Sequence, residues 1–401
     1  RFDLAERFAW QEHTPLAAWV KAKLALRRGD RALAEQLLAE AAAGWPETES
    51  WMEDSWMPTL RPRTRAEGER ALLTLMRGDF TGSAERMLAS CSWTDLAYVA
   101  ERVLTVEELQ RFVAARSPSA PEQCKPELER LYDDDAREGT NTLVSRLRLL
   151  LARRLLRTGD SARAQEYFRG TPFEQPAREY VEARERARQA DDAVDKARAL
   201  YEAARLARRM GMELLGTEDA PDWSQTDGLY DMSVYQGPRE LPPEEEASRQ
   251  KMAELPLVST AEQQRMTAHA PPYAMRYHYR STAADLAEEA ANLLPKRSRA
   301  YAILLCHAAR FTASSEPTRP PRLYQAYVKN GPRLRDEGDQ WISFVFPCPE
   351  PDFEQARAMQ PKFSLPWKGM RRRTLAALGG GLLLPVALGA TLFLRRKRKP
   401  E

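Results

Sequence analysis

Few side chains in this sequence have the types and spacing that chemistry needs. The four histidines, His13, His269, His278 and His307, fall in no H-x-H or H-E-x-x-H pattern, and none is spaced with a cysteine as a metal ligand would be. His307 follows Cys306 on an apolar stretch, where adjacent helical residues point apart, so the pair reads as core packing and not as base and nucleophile. Ser248 and Lys251 make a Ser-x-x-Lys, the opening motif of some acyl-transfer sites, but they lie in the charged run E-E-E-A-S-R-Q-K without the companion motifs. No G-x-S-x-G elbow, G-x-x-x-x-G-K phosphate loop or G-x-G-x-x-G turn occurs. The sequence therefore predicts no catalytic residue, no cofactor and no metal site.

The acidic clusters are read in the same way. Asp133 to Asp135 and Glu244 to Glu246 lack the spaced oxygens and turn glycine of a calcium loop, and suit solvated helix ends. Glu213, Glu218, Asp219 and Asp222 share one irregular stretch with Trp223. Capping and loop anchoring is the leading reading of these acids. A cleft, if the fold opens one, is expected here.

The elements that position these residues are helices. Ala, Leu, Arg and Glu recur at helical spacing and no run alternates as a strand does, so the predicted class is all-α. One pattern repeats: L-R-R-G-D-R-A-L-A-E-Q-L-L from Leu26, L-M-R-G-D-F-T-G-S-A-E-R-M-L from Leu75, and L-R-T-G-D-S-A-R-A-Q-E-Y-F from Leu156. Each predicts a helix closed by basic residues, a glycine that takes the left-handed turn position, and an Asp that caps the next helix. A small residue five places after the glycine lets the two helices approach, and a large apolar one at nine fills the space between them.

These segments resemble tetratricopeptide (TPR) repeats, a family of stacked helical hairpins. Gly29, Ala34, Leu38, Ala41 and Pro46 follow the second half of that pattern, as do Gly159, Ala164, Phe168 and Pro176, with Thr171 in place of a small Ala. Gly78 and Met87 fit, while Asp95 stands where proline is expected, and Ala283, Ala287, Ala290 and Pro295 give a glycine-less echo. First halves depart and the spacing is irregular, so the resemblance implies a degenerate TPR-like αα-hairpin solenoid. Such solenoids bind along the face formed by the first helix of each pair, here parts of Trp19 to Leu26, Arg70 to Arg77 and Leu147 to Leu156. Arg146, Arg148, Arg153 and Arg154 would then be placed to grip acidic peptide tails, although a plain solvated face is the leading reading of each. Two further blocks, M-E-L-L-G-T-E-D-A-P-D-W and Y-R-S-T-A-A-D-L-A-E-E-A-A-N-L-L-P, resemble segments of bacterial proteins of unknown function and bring no activity with them.

The expected organisation is helical repeats over 1–210 and an ordered, aromatic and acidic loop over 211–243. Further helices follow over 244–330, with spans at Glu244 to Glu254, Ser259 to Ala268, Pro272 to Leu294, Arg299 to Phe311 and Pro321 to Lys329. Ser259 and Glu262 form a capping box. An extended juxtamembrane segment is expected over 331–373. Thr374 to Leu394 then carries 21 residues without a charge or amide, enough at about 1.5 Å per residue to cross a hydrocarbon core of roughly 30 Å. Trp367, Arg371, Arg372 and Arg373 flank it on one side, and Arg395, Arg396, Lys397, Arg398 and Lys399 in the basic tail 395–401 on the other.

The chain of 401 residues has 61 basic and 58 acidic side chains, and without the eight basic flank residues the balance is acidic. No nucleic-acid footprint follows, and the basic clusters read as membrane topology signals. Cys91, Cys124, Cys306 and Cys348 exclude a zinc ribbon by their spacing and leave one or two disulfides open. Arg1 stands inside what reads as a helix, which points to sequence upstream, an export signal among the candidates. The denser basic tail leans toward a cytoplasmic end and an extracytoplasmic, periplasmic repeat region. The expectation is a membrane-anchored helical scaffold at a bacterial envelope with a protein or peptide partner and no small-molecule substrate. The alternative is an envelope enzyme or enzyme subunit whose catalytic part lies upstream of residue 1 or around 211–243.

Overall fold

The computed structural model describes residues 2–51, 61–116, 142–224, 258–334 and 348–360. Every regular element among them is helical. They are α1 (Phe2–Gln11), α2 (Pro15–Arg27), α3 (Arg31–Gly44), α4 (Pro62–Met76), α5 (Phe80–Ala89), α6 (Trp93–Tyr98) running into a π-helical turn (Val99–Val103), and α7 (Val106–Ala114). After these come α8 (Leu143–Thr158), α9 (Ser161–Phe168), α10 (Glu174–Gln189), α11 (Ala193–Arg209), α12 (Gly211–Leu215), α13 (Thr260–Ala268), α14 (His278–Asn292), α15 (Arg299–Thr312), α16 (Arg319–Asn330) and α17 (Phe353–Ala358).

The three Gly-Asp turns have one geometry. Gly29, Gly78 and Gly159 take φ of +81°, +83° and +87°, the left-handed region where a side chain is strained, and each ends its helix. Asp30, Asp79 and Asp160 then cap α3, α5 and α9, accepting from the backbone N–H of Leu33, Gly82 and Arg163 at 3.0, 2.9 and 3.2 Å. At the fifth place Ala34, Ser83 and Ala164 are fully buried, and at the ninth so are Leu38, Met87 and Phe168. The local pattern thus sets the turn, the cap and the packing surface together. Ala283, Ala287 and Ala290 on α14 are equally inaccessible. Pro46 follows α3 as a stop, but Pro176 lies in the first turn of α10, where a missing N–H costs nothing. Asp95 occupies the first turn of α6, a favourable place for an acid.

Helices α2 to α5 stack in chain order, and α8, α9, α10 and α11 form a second run. Helix α11 packs directly along α14, followed by α15 and α16, so the stack continues from α11 to α14 although the two are separated in sequence. Helix α8 is buried on nearly all sides, packed by α9, α7, the π turn and α12. Leu147, Leu150, Leu151 and Leu155 are wholly inaccessible, which corrects the expectation that Leu147 to Leu156 forms an open binding face. The described residues up to Ala356 belong to one compact unit.

Several predicted boundaries move. Residues 211–215, expected to be irregular, form α12, and only 216–224 of the described stretch is irregular. The helix expected from Pro272 begins at His278, because Tyr277 takes φ +60° and breaks the helical path. Ser259 caps α13 at 3.2 Å, but the Glu262 carboxylate accepts from the Tyr98 hydroxyl at 2.8 Å, so half of the capping box forms. Within the segment expected to be extended, Phe353–Ala358 is helical, with Asp352 accepting the Gln355 N–H at 2.9 Å. Among the described residues no helix is long and apolar enough to cross a membrane. The span Thr374 to Leu394, its flanks and Trp367 lie outside the described residues, as do Glu244 to Glu254, Ser248, Lys251 and Asp133 to Asp135.

Candidate functional site

The irregular acidic stretch is carried into the centre of the fold. Helix α12 packs on α8 and brings Gly216 to Ser224 against it, with the Ala220–Pro221 peptide cis and Trp223 at φ +50°. Asp222 is fully buried, and its Oδ2 accepts the Thr217 N–H at 2.9 Å while Oδ1 accepts the Tyr277 N–H at 2.6 Å. Nδ1 of buried His278 lies 2.8 Å from Oδ2 of the same carboxylate. Glu218 pairs with Arg153, and Arg157 pairs with Glu101 of the π turn. Arg157 also donates to the carbonyls of Leu215 and Gly216 at 3.0 and 2.8 Å, which closes the end of α12. Arg154 donates to the carbonyls of Ala100 and Leu104 at 2.5 and 2.8 Å, serving the π turn in the same way.

The electrostatics of this centre follow from burial and pairing. Burial pulls Arg154 down to about 10, opposed by Glu101, and it stays protonated near neutral pH. Burial also lowers Arg157 in spite of Glu101. Burial pushes Asp219 above the usual carboxylate range. At Asp222 burial pushes up as well, but the contacts from His278, Thr217 and Tyr277 outweigh it and the net direction is down. Burial lowers His269, whose Nδ1 lies 2.9 Å from the Arg102 carbonyl.

The four acids and one aromatic singled out by sequence are therefore not equivalent. Glu218, Asp219 and Asp222 are buried in the centre; Glu213 on α12 and Trp223 are half-buried at its edge. Arg153 and Arg154, read from sequence as a solvated face or a grip for acidic peptides, are buried and occupied internally, a correction forced by their position on the all-round buried helix α8. Arg146 and Arg148 lie over the rings of Trp93 and Tyr167. The centre fastens residues 216–224 to α8, since its donors and acceptors are directed at one another and at backbone ends. Among the described residues no group of three or more His, Cys, Asp or Glu side chains is arranged to hold a metal ion.

The accessible feature is a groove of about 1120 Å³ around the Gly159–Asp160 turn, between α8, α9, α10 and α11. Tyr180, Val181 and Leu200 supply apolar surface; Arg169 and Arg184 rise from its walls and make no ion pair among the described residues. Its volume exceeds the roughly 300–1,000 Å³ usual for small-molecule pockets. Comparison with protein-family models, curated proteins and solved structures finds no match.

Sequence reasoning missed Glu101, Arg157 and His278 as partners of the acidic stretch. The signal was present: Glu101 in A-Y-V-A-E-R-V-L and Arg153, Arg154 and Arg157 in L-L-L-A-R-R-L-L-R are charges set in otherwise apolar helical faces, where an unpaired charge is not tolerated. The disulfide left open by the cysteine count joins Cys306 and Cys348, and Cys91 is also disulfide-bonded, to a partner outside the described residues.

Proposed function

We propose that this chain is a TPR-like helical-repeat scaffold, held at a bacterial membrane by residues 374–394, that binds a protein or peptide partner along the groove beside Gly159. The carrying observation is that groove: an amphipathic channel between stacked helices, with Arg169 and Arg184 on its walls making no ion pair among the described residues. The buried centre is spent on structure, since Glu218, Glu101 and Asp222 are held by Arg153, Arg157 and His278. Disulfides at Cys306–Cys348 and Cys91 favour an oxidising compartment, in keeping with an extracytoplasmic repeat region. The uncharged span and its basic flanks support the anchor.

A photo-cross-linking residue placed at Glu166 or Arg184 in the intact, membrane-inserted protein tests the groove. A discrete adduct is expected from these positions and none from Gln36, an exposed position on α3. Equal labelling from all three, or none from the groove, refutes the assignment. Protease treatment of spheroplasts tests the compartment, with digestion of the repeat region expected from outside and full protection counting against export.

A further inference from the structure

Helix α11 presents Arg198, Tyr201 and Arg205 at spacings of three and four, one stripe along the helix, with His307 of α15 beside it. Residues 349–354, P-E-P-D-F-E, lie along that stripe. The Pro349 carbonyl is 3.0 Å from His307 Nε2, which is itself 2.9 Å from the Tyr201 hydroxyl. Glu350 accepts from Tyr201 at 3.3 Å and from Arg205 at 3.5 Å. The Phe353 ring is buried between the Tyr201 ring, 6.2 Å away, and the Arg198 guanidinium, 5.3 Å from its centroid. Glu354 pairs with Arg198. The segment is thus held as a bound peptide is: two acids on two arginines, one aromatic anchor and a carbonyl on a histidine, through a non-helical run over 349–352 that enters α17 at Phe353.

The non-covalent hold is thin. Both ion pairs are open to water, with Glu350 and Glu354 side chains 67% and 71% exposed, so neither contributes much. Only Phe353 and Ala356 are buried, against the entropy of ordering the whole segment. What fastens it is the bond from Cys348 to Cys306.

We propose that Arg198, Tyr201, Arg205 and His307 form a binding site for an acidic peptide with one aromatic residue, filled here by the chain's own residues 349–354 and gated by the Cys306–Cys348 disulfide. Opening takes a dithiol reductant. One thiolate attacks Sγ of Cys348, which is half-buried while Cys306 is inaccessible, and the S–S bond breaks with Cys306 leaving as thiolate and taking up a proton. The reductant's second thiolate attacks its own sulfur in the mixed disulfide, Cys348 leaves and is protonated, and the reductant departs as its disulfide. This site is separate from the groove beside Gly159, and either assignment can fail alone.

The test uses the full chain in detergent and a fluorescent peptide, Pro-Glu-Pro-Asp-Phe-Glu-Gln-Ala. Binding is read by anisotropy to the oxidised wild type and to a C348S variant whose own strap is disabled by E350Q, F353A and E354Q. The disabled variant is expected to bind at least tenfold more tightly than oxidised wild type, and to lose that gain with R198E or R205E, or when the peptide's Phe is Ala. Equal binding to both proteins, no binding to a disabled variant that keeps the wild-type helical circular dichroism in the absence of denaturant, or binding indifferent to Arg198 and Arg205 each overturns the site. For the gate, a dithiol is expected to speed proteolysis between residues 349 and 356 in wild type but not in C348S; unchanged cleavage overturns the gating.

Discussion

Replacing Arg157 by Leu should remove a large fraction of the fold's stability. Arg157 is the only side chain of α8 that serves two jobs at the buried centre: it neutralises Glu101, 1% exposed, and it closes the carbonyl end of α12 through Leu215 and Gly216. Its loss strands a buried carboxylate, for which removing one partner of a buried pair costs about 3–5 kcal/mol. Domains are stable by about 5–15 kcal/mol, so roughly a fifth or more of the total is at stake. Urea unfolding followed by helical circular dichroism measures it as a fall in the midpoint. The companion double variant, R157L with E101L, removes both charges and should recover at least about 2 kcal/mol relative to the sum of the singles. The two carbonyls remain unserved in both, so recovery is incomplete. If R157L costs less than about 1 kcal/mol, or the double variant simply adds, the centre is not an electrostatic fastener and the docking of 216–224 rests on apolar contacts alone.

Two neighbouring aspartates should respond to pH with opposite signs. Asp222, held below its ordinary range, adds stability that is present above about pH 4 and is lost as pH falls through its folded value, so wild type and D222N should converge in acid. Asp219, raised by burial, costs stability above the unfolded value, so D219N should be more stable than wild type at pH 7 and equal to it below about pH 3.5; a pH series of urea midpoints checks both. Removing the Cys306–Cys348 bond, whose cysteines are 42 residues apart, should cost about 4 kcal/mol by loop-closure entropy, read as the difference between oxidised protein and C306S/C348S. Gly159→Ala, at φ +87° with open space around it, should cost about 1–2 kcal/mol from backbone strain alone, and a neutral result would mean the turn relaxes.

The repeated turns were the most legible feature, because they are local. Gly29, Gly78 and Gly159 each need only their own few neighbours to set the left-handed residue and the Asp cap, so pattern and structure coincide. Helix ends governed by distant partners were less legible. The start of α14 depends on Asp222 holding the Tyr277 N–H from far along the chain, and the Glu262 carboxylate is drawn from its own cap to Tyr98. The arginines of α8 show the same limit: their sequence suits a basic surface, and only the wrapping of α7, the π turn, α9 and α12 around the helix makes them interior.

By itself the sequence determined the helical class, the Gly-Asp hairpins and the uncharged stretch at 374–394, since each follows from residue periodicity or from backbone preferences within a few positions. Only the tertiary structure decided that the acids at 218–222 are buried with Arg153, Arg157 and His278, that Cys306 meets Cys348, and that residues 349–354 lie on α11. These are pairings between segments remote in sequence. Their energy comes from desolvation and charge compensation in a shared interior, which no local pattern encodes.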